Sequence, residues 1–148
     1  MVESYTRAYG PHVLMLGGSM GATACLLFAR FAHLSLAFSP QVELRSGQGR
    51  FLPEVVLDRF EAYMSTSLAA CKGRVVVHVG RRHHFDSRAA RKLLSHSPHV
   101  HLVYHETDLH NTTKFLHERQ GQLTSMVKLA VSQVMITAPV RASGTLCE

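Results

Sequence analysis

The sequence predicts an α/β fold, an open and mostly parallel sheet of about four strands flanked by helices. Three observations predict it. Short apolar runs alternate with longer segments of helical periodicity, the pattern of strand-helix-strand units. The run Val75-Val76-Val77-His78-Val79 is continuous rather than alternating, as a strand buried on both faces requires. The first apolar run passes at once through a glycine-rich turn into an alanine-rich segment. Right-handed crossovers then set the strands parallel.

The first strand is expected at 12–16, where His12-Val13-Leu14-Met15-Leu16 is apolar. A helix follows at 20–32, through Ala22, Ala24, Leu26 and Leu27. Leu34-Ser35-Leu36-Ala37-Phe38 is the second strand, ended by Ser39-Pro40. A polar loop with Gly47 and Gly49 leads to Pro53, which suits a first helical turn. That helix runs to Cys71, with Val56, Phe60, Tyr63, Met64 and Leu68 as its expected core stripe. Gly73 ends it, and 75–79 is the third strand. Asp86 or Ser87 suits the cap of a helix at 87–96. The fourth strand is 100–104, followed by a helix at 111–118 and an interruption at Gly121. An amphipathic helix at 122–136 carries Leu123, Met126, Val127, Ala130 and Val134. Residues 1–137 form a single expected domain; after Pro139 the composition turns small and polar, so 138–148 is an expected flexible tail.

A chain of 148 residues suits one domain with one core. No apolar run approaches the ~20 residues of a membrane span. Positions 1–11 hold Glu3, Arg7 and Pro11 and no apolar segment, so no secretory signal is expected. Cys25 and Cys71 fall among apolar neighbours, no C-x-x-C occurs, and Cys147 leaves the count odd. Buried free thiols in a reducing, cytoplasmic setting fit that usage. The net charge of +6 raises nucleic acid as a partner. The basic residues are dispersed, apart from Arg81-Arg82 and Arg88, Arg91 and Lys92, with no interleaved aromatic residues for stacking. A solvated surface, and no nucleic-acid partner, is the expectation.

Gly17-Gly18-Ser19-Met20-Gly21 is a G-x-S-x-G pentapeptide between strand and helix. In that context a serine is lifted onto a sharp, strained turn with its hydroxyl above the sheet. Small residues at 17 and 21 let strand and helix approach closely. The Met20 N–H, at the start of the helix, faces a developing oxyanion. A serine hydroxyl needs a base, and the base an orienting acid. In an open α/β sheet, loops at the carboxyl ends of strands supply such groups. Asp86 is the only carboxylate between the third and fourth strands, and His110 closes the loop after the fourth. Ser19, Asp86 and His110 thus share one sheet edge in the order nucleophile, acid, base. Glu106 and Asp108 are rival acids on the histidine's own loop. Plainer readings stand beside these: a turn serine, an N-cap aspartate, and a surface histidine among 11.

On these residues the chain resembles the α/β-hydrolase superfamily of serine esterases and lipases, in its C-terminal portion from the nucleophile elbow onward. Residues 17–21 match the elbow; Asp86, followed by Ala89, Ala90 and Leu93, is similar to the acid loop and its helix. His110, followed by Asn111, is similar to the histidine segment, and Ala37-Phe38-Ser39-Pro40-Gln41 to a turn in some bacterial hydrolase-like proteins. The resemblance covers about 12–136 and implies a carboxylester or thioester hydrolase working through an acyl-enzyme. It implies catalytic Ser19, Asp86 and His110, an oxyanion hole at Met20, a small-molecule or acyl ester substrate, and no cofactor. In the superfamily the elbow follows about the fifth strand of an eight-stranded sheet, whereas here it follows the first. The preceding strands and the loop with the second oxyanion donor are expected to be absent, impairing turnover by ~10²–10³. The first strand is then an exposed edge, open to self-association.

Two other functions compete. One is a non-catalytic remnant of the same fold, serving as an interaction module. The other is a nucleotide-binding dehydrogenase, on the strength of Gly17 and Gly21 after a strand. Against it, Thr23 replaces the last loop glycine, no acid follows the second strand for a ribose, and no Tyr-x-x-x-Lys pair is present. His83-His84, His96, His99, His101, His105 and His117 invite a metal, but none forms H-E-x-x-H, so no metal centre is expected.

Overall fold

Four strands form one parallel sheet in the order β1-β2-β3-β4: β1 Leu14–Gly18, β2 Leu34–Phe38, β3 Arg74–Gly80 and β4 Val100–His105. The structure is a computed structural model and describes residues 12–46, 48–119 and 121–136. Its helices are α1 Met20–Leu27, α2 Glu54–Ala69, α3 His84–Leu93, α4 Thr112–Glu118 and α5 Gln122–Ile136. This is the open α/β sheet that the strand and helix periods predict.

Alternation along the strands divides the side chains between two cores. Ala37, Val75, Val77 and Val79 face one, with Ala22 and Leu26 of α1, Met64 and Leu68 of α2, and Ala89, Ala90 and Leu93 of α3. Leu34, Leu36 and Phe38 face the other, with Leu116 of α4 and Ala130 and Val134 of α5. Helices on both faces leave β2 buried at every position. Among the described residues β1 pairs only with β2, so it forms an edge, with Leu16 exposed there. None of the described helices is long and apolar enough to cross a membrane.

Several bounds differ from those expected. β1 begins at Leu14 and runs to Gly18, taking in the first two glycines of the pentapeptide. The helix expected at 20–32 stops at Leu27, and a 3₁₀ turn spans Ala29–Phe31. Tertiary contact ends it: Ala29 is buried, and its carbonyl accepts from Cys71 Sγ at 3.3 Å and from Ala32 N at 3.0 Å. On α2 the buried face is Leu57, Met64 and Leu68 with Phe60 packed beside it, while Val56 and Tyr63 are exposed. Val56 and Tyr63 sit one residue before Leu57 and Met64, about 100° round the helix, which is enough to turn them to solvent.

The helix expected at 87–96 starts at His84, and neither Asp86 nor Ser87 caps it. His83 is the cap: its Nδ1 accepts from the Asp86 N–H at 3.3 Å. The bounds 34–38 and 122–136 agree with the sequence, and Gly121 breaks the chain between α4 and α5 at φ 74. Cys25 and Cys71 are buried and free. Burial pushes the Cys25 thiol up to about 11 and raises Cys71 as well, so neither is a ready thiolate. The expected tail 138–148, with Cys147, lies outside the described residues.

Candidate active site

The reversal from β1 into α1 is tight because strand and helix backbones nearly touch. A Cβ at Gly17 would lie 2.3 Å from the Gly21 carbonyl carbon and 2.7 Å from the Ala22 nitrogen. A Cβ at Gly21 meets nothing within 4 Å. The close approach therefore depends on Gly17, and the expectation that both positions require it is corrected. Ser19 caps α1 with φ 52 and ψ −117. That left-handed backbone costs a non-glycine residue ~1–3 kcal/mol. The Ser19 N–H donates to the Phe38 carbonyl at 2.8 Å, pinning the turn to the end of β2. Met20 opens α1, so its N–H has no carbonyl partner inside the helix and sits at the helix's positive end.

Parallel pairing delivers the other loops to this same edge. After β3, the first turn of α3 holds Asp86 at 3 % exposure. After β4 the chain reaches His110, just before Asn111, whose side chain caps α4 by accepting from the Lys114 N–H at 2.9 Å. Asp86 Oδ2 is 2.7 Å from His110 Nδ1, and His110 Nε2 is 3.1 Å from Ser19 Oγ. A carboxylate only accepts, so Nδ1–H donates to Asp86. Nε2 is then the acceptor, and the Ser19 hydroxyl donates to it. The structure thus brings the three sequence-derived candidates into one hydrogen-bonded run. It does not bring the rival acids there: Glu106 pairs with Arg81 at 2.9 Å, and Asp108 is exposed.

Behind the run, near the ends of β3 and β4, His78 Nδ1 and His105 Nε2 are 3.0 Å apart, and Phe38 stacks on His78 at 4.6 Å. Burial, with His105 beside it, depresses His78 to about 4; burial lowers His105 too. The pair is neutral near pH 7 and adds no cation to the site.

Two further neighbours stand outside the Ser19, Asp86 and His110 set, although His83 is among the histidines that the sequence offers to a metal. His83 Nδ1 is 3.2 Å from Asp86 Oδ2, a contact that an H-x-x-D spacing at a helix start foreshadows. His83, Asp86 and His110 offer ligand atoms within 4.8 Å of one another, so among the described residues this trio is the set able to hold a metal ion. A cation there would displace the proton that His110 donates to Asp86, so metal binding and base chemistry compete. The second neighbour is Gln41, whose Nε2 donates to Ser19 Oγ at 3.1 Å. The turn Ser39-Pro40-Gln41 is visible in the sequence, but the direction of its amide is not.

Two small cavities flank His110. One, of about 280 Å³, is lined by Ser19, Phe38, Asn111 and Thr113; the other, of about 240 Å³, by Gln41, His83, Phe85 and Asp86. A larger one of about 600 Å³, between the 42–46 segment, α2 and α3, touches none of Ser19, Asp86 and His110.

No family model matches the chain, and no curated protein matches it. Among solved structures it is similar to the Pyrococcus furiosus esterase Pf2001, at a TM-score of 0.51 and 18 % identity. The match covers 88 % of this chain and 59 % of that one. The likeness is one of fold, an open α/β architecture, and the chain spans less than two thirds of the esterase it matches.

Proposed function

We propose that this protein is a serine hydrolase that cleaves carboxylic esters or thioesters through an acyl-enzyme on Ser19. The single observation that carries the reading is the run Ser19 Oγ–His110–Asp86, with separations of 3.1 and 2.7 Å, built on a serine at positive φ. Nucleophile, base and orienting acid stand in the roles such chemistry needs.

Ser19 Oγ attacks the acyl carbon, and its proton passes to His110 Nε2. Asp86 holds the imidazolium that forms. The carbonyl oxygen takes up negative charge beside the Met20 N–H. Collapse expels the alcohol or thiol, which leaves with the proton from His110. Water then attacks the acyl-serine by the same route, releasing acid and free Ser19. The cavity of about 280 Å³ beside Ser19 is below the usual ligand range of roughly 300–1,000 Å³, which favours a short acyl group. Met20, Phe85 and Leu109 are exposed next to the run and favour an apolar one.

A fluorophosphonate probe should label Ser19, and Ser19→Ala should abolish both labelling and hydrolysis of p-nitrophenyl acetate. Folded protein whose Ser19 stays unlabelled would instead be a non-catalytic α/β module.

A further inference from the structure

We infer that the side-chain amide of Gln41 is an oxyanion donor of this site, acting beside the Met20 N–H. The inference rests on the serine-hydrolase reading and adds a catalytic residue to it. Gln41 Nε2 lies 3.1 Å from Ser19 Oγ, the atom that bonds to the acyl carbon. Besides His110, it is the one side-chain partner of that oxygen among the described residues.

The orientation of the amide follows from the proton inventory. Asp86 accepts from His110, and the single Ser19 proton goes to His110 Nε2. Oγ then offers only lone pairs to Gln41, so the amide nitrogen must face it. The other end of the amide, Oε1, is buried without a partner among the described residues. A buried carbonyl left unpaired costs ~1–3 kcal/mol, which an apolar residue of similar shape avoids. Packing alone does not explain a glutamine here; a donor aimed at the reacting centre does.

The backbone holds that aim. The Gln41 N–H donates to Thr23 Oγ1 at 2.9 Å, and the Thr23 hydroxyl lies 3.0 Å from the Gln41 carbonyl. The same hydroxyl is 3.3 Å from the Ser19 carbonyl, so one buried threonine of α1 ties the Gln41 turn to the elbow. Ser39 turns the chain back over Ser19 with φ 48, held by its N–H on the His78 carbonyl at 2.8 Å.

In the attack, the Ser19 proton moves to His110, the carbonyl π pair moves onto oxygen, and Oγ becomes a bridging atom. Bridging Oγ is a poorer acceptor than the oxyanion on the same carbon. Nε2 carries two hydrogens and shifts one onto that oxyanion without moving the backbone. On collapse the amide returns to Oγ. No reactant besides the ester enters this acylation half; water enters only to release the acyl group.

The test uses the whole chain, with Gln41→Ala and the nearly isosteric Gln41→Glu, on p-nitrophenyl acetate and its thionoacetate. Both variants should lose ~10²–10³ in kcat with KM within a few-fold. A sulfur anion is a poor acceptor for such donors, so the wild-type preference for the oxo over the thiono ester should shrink in both. A merely structural role leaves that ratio unchanged, and such a result overturns the inference. Gln41→Glu keeps the shape and carries the test should Gln41→Ala lose the fold. If wild-type Ser19 labels with fluorophosphonate and the variants label at the same rate, the Gln41 role falls alone. If wild-type Ser19 never labels, the hydrolase reading falls, and the Gln41 role with it.

Discussion

Gly17 and Gly21 look equivalent in the pentapeptide, yet only one of them is crowded. The Gly17 Cα faces backbone atoms that cannot move aside, whereas Gly21 is a helical residue with open space beside it. Gly17→Ala should therefore cost about 3 kcal/mol or more by overpacking and abolish labelling of Ser19. Gly21→Ala should keep the fold and stabilise it by ~0.5–1 kcal/mol, because alanine loses less entropy in a helix. Thermal unfolding of the two variants side by side checks this; equal losses would mean the crowding is shared. The same contrast shows what the sequence can and cannot say about the site. Ser19, Asp86 and His110 are legible because each follows a strand of a parallel sheet, and topology alone brings them to one edge. Gln41 is not legible, because its aim depends on the φ of 48 at Ser39 and on the hydroxyl bonds of Thr23 one turn into α1; the sequence shows the turn but neither of these.

At the scale of elements, β2 and α5 are read to the residue because one is a mostly apolar run closed by Ser39-Pro40 and the other carries its apolar residues at helical spacing. The start of α3 is missed because a histidine, an uncommon cap, replaces the aspartate that propensity favours. The β3 and β4 ends carry a pair of imidazoles, buried His78 and half-buried His105, with a pH consequence. His78 is held to about 4 in the fold against about 6.5 unfolded, so the unfolded chain binds more protons between those values. Stability that is complete above pH ~6.5 is thus lost as pH falls toward 4. The midpoint of urea unfolding should drop across that window in the wild type. In His78→Gln the drop should be smaller; an equal slope would assign the effect to other groups.

For the molecule as a whole, the two-sided sheet was predictable from β3 alone, since an unbroken β-branched run needs cover on both faces and both cores supply it. What composition hides is how the surface is wired to the interior. The segment after Gln41 is fastened by charge: Glu43 pairs with Arg88 and Lys92 of α3, and Arg45 with Glu54, Asp58 and Glu61 of α2. Arg88, Lys92, Arg45 and the α2 carboxylates are solvent-exposed, so dissolved ions screen these pairs over about 10 Å at 0.1 M and 3 Å at 1 M. Turnover should accordingly decline between those ionic strengths while the unfolding temperature changes little. Replacing Arg45 with glutamine should remove part of that sensitivity. A tether of surface charges would make the rate of the proposed hydrolysis a reporter of the ionic surroundings, independently of how well the sheet holds together.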